Sequence, residues 1–367
     1  MGLLTPREYT RIVARHEVAK FCLRCMEKVG VPREHARHLG DVLTAGDYRG
    51  HYSHGLNRLE MYVMDVEKKV CDVHKKPVVV KETCSTALIN GNNLLGPTVG
   101  IFSMQTAIKK AKETGVSWIA TYGSNHFGIA GYYSMLAAKE GLIGLAFTNT
   151  SPLVFPTRAK KQVLGTNPMT IAAPGSKPED DFVLDMATST VAVGKLEMCR
   201  RRNLSIPSGW AGDDDGKPTA DPAVAIDKGG LFPLGGEEIT SGYKGYGLSV
   251  MVEILCGILA NAAYGPGVRK WMITTHPANL GQCFAAIDPQ AFAPGFHKRM
   301  SDFMKTLRGL PRVDPELPVL VAGDPEREHI AECEKLGGIR YPPVLIESVN
   351  RLAERLNVDP LPVLRDL

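Results

Sequence analysis

Thirteen consecutive residues, Asp47-Tyr48-Arg49-Gly50-His51-Tyr52-Ser53-His54-Gly55-Leu56-Asn57-Arg58-Leu59, hold two His, two Arg, a Ser and an Asp. If Ser53 opens a helix, His54 and Arg58 are four apart and share a face. A guanidinium beside an imidazole is costly unless an anion fills the gap. An oxyacid would do so: Arg58 would fork onto its carboxylate while His54 exchanges a proton with the neighbouring hydroxyl or carbonyl oxygen. A solvated helix start is the blander reading of the same residues. Two further places carry chemistry. Gly123-Ser124-Asn125-His126-Phe127-Gly128 reads as a strand end and a small-residue loop, which can aim His126 into a cleft. Asp185 ends the apolar run Phe182-Val183-Leu184. A buried carboxylate there needs a partner, either an imidazole or a backbone cap.

Other signals are weaker or negative. There is no GxGxxG, no GxSxG elbow and no HExxH, and the eight cysteines show no metal spacing, so no metal is expected. Gly91 to Thr98 imitates a phosphate loop but has Pro97 where Lys is required. Gly242-Tyr243-Lys244-Gly245-Tyr246-Gly247 opens an apolar segment where Lys244 could meet a phosphate, or simply makes a tight turn. Cys22 and Cys25 form a lone CxxC inside a helical pattern and read as a buried or half-buried thiol pair.

The elements that must position these residues follow from patterning. Thr5, Pro6 and Glu8 suggest a capping box opening a helix through Ile12, Val13, Ala19, Cys22, Met26 and Val29. A second helix runs from Pro32 to about Gly46, and a third from Ser53 through Tyr62. The middle of the chain changes to strands over 77–81, 85–90, 117–122, 143–149, 169–173, 182–186 and 284–288. Helices are expected over 132–141, 249–263, 297–308 and 347–356, with a long loop at 203–242. Strands and helices mix without strict alternation, which predicts an α/β fold with a mixed sheet. The expected division is a helical N-terminal part, 1–75, for substrate and dimer contacts, packing with 290–367. A mixed-sheet part, 76–289, would bind a cofactor.

Composition sets the class. The chain has 367 residues, 44% hydrophobic and 22% charged, enough for a large core without disulfides. A net charge of +4 is too small to argue for nucleic acid. The longest apolar stretch, 248–263, contains Glu253 and Asn261 and falls short of the roughly 20 apolar residues a membrane span needs. Arg7, Glu8, Arg11 and Arg15 stand where a signal peptide would be apolar, so a cytoplasmic protein is expected.

In order along the chain, these pieces resemble the type-2 malate/L-lactate dehydrogenases, a family that includes sulfolactate and ureidoglycolate dehydrogenases and a cyclic imino-acid reductase. The matching motifs are Asp47 to Gly50, Ser53-His54-Gly55, Arg58-Leu59, Ser124 to Gly128, Asn149 to Pro152, Gly165 to Pro168 and Leu184 to Ser189. They continue through Gly209 to Ala211, Pro233 to Gly236, Tyr243 to Gly247, Ile287 to Pro289 and Gly323 to Glu326. The resemblance implies a homodimer with a non-Rossmann fold that binds NAD or NADP, which would account for the missing GxGxxG. It implies that His54 exchanges the proton, paired with Asp185, and that His126 is a second active-site His. Arg58, with Arg49 and Ser53, would hold the substrate. Thr150, Leu184, Asp185, Met186, Leu234, Gly235, Lys244, Ala322, Gly323 and Asp324 would contact the cofactor. Asp324 stands where many members carry Glu. The expected reaction is hydride transfer between nicotinamide and C2 of a small 2-hydroxy or 2-oxo acid of the malate or L-lactate type. A cyclic imino-acid reductase and a non-catalytic structural descendant are the alternatives.

Overall fold

The computed structural model describes Pro6, residues 8–270 and residues 273–367. Its N-terminal part opens with a strand, β1 (Arg11–Val13), where a helix was expected; Thr5 of the capping box lies outside the described residues. Ile12 and Val13 are β-branched and fully buried, so a sheet uses them better than a helix turn. Helices α1 (Arg15–Lys28) and α2 (Arg33–Tyr48) follow, with Pro32 capping the second. Cys22 and Cys25 lie one turn apart on α1, both buried, and all eight cysteines are free thiols.

The helix expected from Ser53 is broken. Two single 3-10 turns, Tyr52–His54 and Leu56–Arg58, are separated by Gly55 at φ −107°, ψ −138°, and only then does α3 (Leu59–Glu67) begin. The break has an electrostatic cause. Asp47, fully buried on α2, accepts the Leu56 N–H at 2.8 Å and the Tyr341 hydroxyl at 2.7 Å. Its Oδ1 has no partner among the described residues. Burial pushes its carboxyl up to about 7, against the pull of those two donors.

The sheet region follows in chain order: β2 (Val78–Glu82), β3 (Thr86–Asn90), α4 (Gly96–Thr114), β4 (Val116–Ser124), α5 (Gly131–Lys139), β5 (Ile143–Thr148), β6 (Met169–Ala173) and β7 (Phe182–Met186). After α6 (Val193–Arg201), the expected loop at 203–242 contains β8 (Ala211–Gly212), α7 (Pro222–Asp227) and β9 (Gly230–Leu231). Next, α8 (Gly242–Glu253) widens into a π turn, Ile254–Ile258, and β10 (Leu280–Ile287) returns to the sheet. The chain ends with α9 (Phe296–Arg308), α10 (Asp324–Leu336), β11 (Ile339–Tyr341), α11 (Pro343–Leu356) and β12 (Arg365–Asp366). The helical character of α10 is hidden in sequence by its polar composition.

The main sheet has seven strands in the order β2-β3-β4-β10-β5-β6-β7, with only β3 and β4 parallel. Helices α4 and α5 cover one face through Phe127, Tyr133, Ile119 and Phe284. The end of α8 covers the other through Val252, Cys256, Phe147 and Cys283. Covered on both sides, β10 is buried without alternation from Leu280 to Ala286, its one polar side chain being Gln282. A separate apolar cluster joins α1–α3 to β11 and α11, and β1 pairs with both β11 and β12. By contrast, α9 turns to the sheet region, where its Arg308 meets Asp180 and Asp324. Among the described residues no helix is long and apolar enough to cross a membrane.

The Asp47 latch is testable. A Cβ on Gly55 would stand 1.8 Å from Asp47 Oδ1. Gly55→Ala should therefore cost about 2–3 kcal/mol, in the range of overpacked cores, as a lowered urea midpoint. A wild-type midpoint would show that Asp47 is free to swing aside and holds nothing.

Candidate active site

A cavity of about 330 Å³ opens where the 3-10 turns meet the ends of β4, β5 and β7. His54 and Arg58 reach it together although no continuous helix joins them. Arg58 folds back so that Nε donates to the Ser53 carbonyl at 2.6 Å, and Ser53 Oγ meets His54 Nδ1 at 2.8 Å. Ser53 therefore sets the His54 ring, and His54 Nε2 is the nitrogen left for a ligand. The loop is tied at one end by Arg58 and at the other by Asp47.

His126 enters from the loop after β4. Gly96, at the start of α4, packs directly on this loop; a Cβ there would come within 2.2 Å of the His126 carbonyl. Asn125 Oδ1 accepts the His126 N–H at 2.8 Å, and Gln282 on β10 donates to the Asn125 carbonyl at 3.0 Å. Tyr62 on α3 donates its hydroxyl to His126 Nδ1 at 2.5 Å, and the Gly128 N–H points at the same nitrogen at 3.3 Å. A backbone N–H can only donate, so Nδ1 is the acceptor and Nε2 carries the proton. The His54 and His126 rings stack 5.6 Å apart at 17°.

Electrostatics fix their charge. Burial, followed by Arg58 and His51, drives His54 from its ordinary 6.5 to about 3. Burial, then His54 and Arg58, pushes His126 well down also. Arg58 is itself lowered by burial. Both imidazoles are therefore neutral at pH 7, next to a guanidinium that keeps its charge.

Asp185 does not pair with His54, which corrects the expectation. It accepts the Gly131 N–H at 2.7 Å, and burial raises its carboxyl against His51, that N–H and Arg49. The cause lies in the loop: the broken helix gives Nδ1 of His54 to Ser53, and His51, not His54, is the imidazole on the Asp185 side. His51 also faces Glu326 at 3.4 Å. Arg49 does not join Arg58 either. It stands outside the cavity, among the charges of Glu326, Asp185 and Arg327.

The residues expected around a cofactor divide in two. Thr150, Asp185 and Met186 line the cavity. The Thr150 N–H is held by Asn167 Oδ1 at 3.0 Å, and its hydroxyl meets Thr166 at 3.3 Å. Leu184, Leu234, Gly235, Lys244, Ala322, Gly323 and Asp324 lie outside it. Ala322 packs its carbonyl against the Val183 N–H of β7, Leu234 donates its N–H to Thr188, and Lys244 is exposed. Asp324 is spent on Arg308 and Arg327. These two, with the Val321 N–H, outweigh burial and hold its carboxyl at about 2. The cavity itself fits a nicotinamide end. Met186, Ala187, Pro168 and Ile129 give an apolar wall for a flat ring, and Thr150 and Thr166 offer hydroxyls for a carboxamide. Among the described residues no group of three or more His, Cys, Asp or Glu is placed to hold a metal ion.

Sequence reasoning missed Tyr62, Asn125, Asp65 and Arg269. Asp65, on α3, is 1% exposed, and Arg269, 8% exposed, pairs with it at 2.9 Å. Tyr62 and Asp65 sit four and seven residues after Arg58, so helical spacing could have found them. Arg269 lies in a loop with no local pattern.

The sequence model of a family described as malate/L-lactate dehydrogenase matches residues 13–350. Malate dehydrogenase of Pyrococcus horikoshii is 40% identical over 353 residues, 95% of this chain and 96% of its own length. Malate/(S)-sulfolactate dehydrogenase of Methanothermus fervidus is 38% identical, over 95% of this chain and 99% of its own. The solved structure of the Pyrococcus horikoshii malate dehydrogenase superposes with a TM-score of 0.89 at 36% identity, covering 97% of this chain and 99% of that one. Relatives named for NAD(+) and for NADP(+) both occur. With a non-Rossmann mixed sheet, two half-buried imidazoles and a half-buried arginine in one cavity, and relatives matched along almost the full length, this chain belongs to the malate/L-lactate dehydrogenase family and is an oxidoreductase.

Proposed function

We propose that this enzyme interconverts a small 2-hydroxy acid and its 2-oxo acid, with NAD or NADP as the second substrate, as a cytoplasmic homodimer. The observation that carries the reaction is the half-buried Arg58 beside two stacked, neutral imidazoles in a cavity with an apolar wall. A bound nicotinamide supplies or receives the hydride at C2.

The protein's own groups do the rest. Arg58 binds the carboxylate, and its burial makes that charge-assisted pair far stronger than in water. Its Nε bond to Ser53 holds the guanidinium still, so C2 is presented in one orientation. In the oxidation direction His54, neutral, takes the hydroxyl proton on Nε2. In reduction it must first gain a proton. The substrate carboxylate makes that possible by cancelling Arg58, one of the charges that hold the imidazole neutral. His126 is locked by Tyr62 and Gly128 into the Nε2–H form, so it donates a hydrogen bond to the same substrate oxygen without changing charge. Asp185 holds the Gly131 N–H and thereby the entry of α5, next to Met186 on the nicotinamide wall.

Reduced-nicotinamide absorbance with NADH or NADPH against pyruvate and oxaloacetate tests the reading. His54→Ala should lower turnover about 10²- to 10⁴-fold, the usual worth of a positioned acid/base. Arg58→Gln should act chiefly by raising KM for the acid. Near-normal turnover in a folded His54→Ala variant would remove His54 from proton transfer. Failure of the wild type to oxidise either cofactor with any 2-oxo acid would overturn the reaction.

A further inference from the structure

Arg269 places a second guanidinium on the wall of the same cavity, and the reaction above gives it no work. Its Nη2 donates to Asp65 Oδ2 at 2.9 Å, and its Nη1 to Asp65 Oδ1 at 3.4 Å and to the His276 carbonyl at 3.0 Å. A guanidinium has five N–H donors. Among the described residues Nε–H and one Nη2–H therefore have no protein acceptor. A buried ion pair adds little stability over apolar side chains of the same size. Stability thus gives no reason to keep a half-satisfied cation on a cavity wall.

The placement is built in. Arg58 closes the second 3-10 turn and Asp65 lies two turns into α3, which follows it directly. Met61, between them, also lines the cavity. Asn125 binds both partners of the arrangement, donating Nδ2 to Asp65 Oδ2 at 2.9 Å and accepting the His126 N–H on Oδ1 at 2.8 Å. The second cation and the backbone that carries the second imidazole thus belong to one hydrogen-bonded unit.

We infer that Arg269 determines specificity by binding a second anionic group, carboxylate or sulfonate, carried on C3 of the 2-oxo acid whose first carboxylate sits on Arg58. The inference rests on the reaction proposed above and names its substrate class. A methyl group in place of the distal anion would leave the two free N–H donors desolvated and unpaired, which is how a polar site rejects an apolar isostere.

The test compares oxaloacetate and 3-sulfopyruvate with 2-oxobutyrate, which has a methyl group at the same place. Arg269→Gln alone would strand Asp65 as a buried charge, so it is combined with Asp65→Asn; Arg269→Lys is the charge-keeping control. In the double variant kcat/KM for the better dianion should fall about 30-fold further than for 2-oxobutyrate, the scale of one charged hydrogen-bonding group, mostly through KM. Arg269→Lys should recover part of that difference. An equal fall for all three acids would make Arg269 structural and overturn the inference while the reaction stood. Thermal stabilisation by malonate relative to acetate, measured without cofactor, provides the independent readout. It should be present in the wild type and lost in the double variant. If that shift depends on Arg269 while no 2-oxo acid is reduced, the anion subsite stands and the reaction falls. If malonate and acetate stabilise the wild type equally, the subsite falls.

Discussion

A half-buried guanidinium stands beside two stacked imidazoles, and the site's behaviour follows from that. Arg58 cannot lose its proton under any ordinary condition. Burial first, and then the crowding of positive charge, acts on the groups that can titrate, and His54 and His126 are held neutral. A neutral imidazole is a competent base at once and a competent acid only after an anion arrives. The substrate's carboxylate is thus both the handle by which it is held and the charge that readies His54 for reduction. A carboxylate hydrogen-bonded to His54 would stabilise its charged form before substrate binds; the position of Asp185, turned to Gly131 and His51, avoids this.

Such crowding is tolerated because the scaffold leaves the loop little freedom. Asp47 is fixed by Leu56 and by Tyr341, a residue nearly 300 positions away, so the catalytic turn depends on the C-terminal strand β11. From the other side, the seven-stranded sheet holds the His126 loop through Gln282 on β10 and through the close approach of α4. The cavity lies where these two bodies of structure meet. Asn125, Asp65 and Arg269 cross between them. A small displacement of α3 against β4 would alter the imidazoles and the second cation together.

Much of this was legible in sequence, and the failures have physical reasons. Strands β6 and β7 matched their expected limits because Met169–Ala173 and Phe182–Met186 are mostly apolar segments bounded by turn residues. The mixed sheet followed from strands and helices that do not alternate. His54 and Arg58 were visible in a dense cluster of chemistry-bearing types, and His126 as a His in a small-residue loop. The helix read across Ser53 to Tyr62 failed because its periodicity is real only from Leu59; the preceding turns are shaped by a buried carboxylate on another helix, which no local pattern reports. For the same reason Asp185 could be recognised as a buried acid in need of a donor, but not matched to Gly131. Ile12 and Val13 misled because their strand partners lie more than 320 residues away. Arg269 carried no signal, since its meaning comes entirely from Asp65 on a different element.

The coupling between substrate charge and His54 is the centre of the account, and proton exchange on binding measures it directly. The enzyme with reduced cofactor would be titrated with oxamate, a 2-oxo acid analogue that cannot accept hydride. Calorimetry in two buffers of different ionisation enthalpy at about pH 6, near the unperturbed histidine range, gives the protons taken up per site. His54 is lowered to about 3 in the free protein, first by burial and then by Arg58; an anion that cancels the Arg58 part raises it, so binding should draw in a fraction of a proton that grows as the pH falls toward 5. His54→Gln should abolish that uptake. Binding with no proton exchange, or with release, would contradict the claim that the substrate's carboxylate readies the acid.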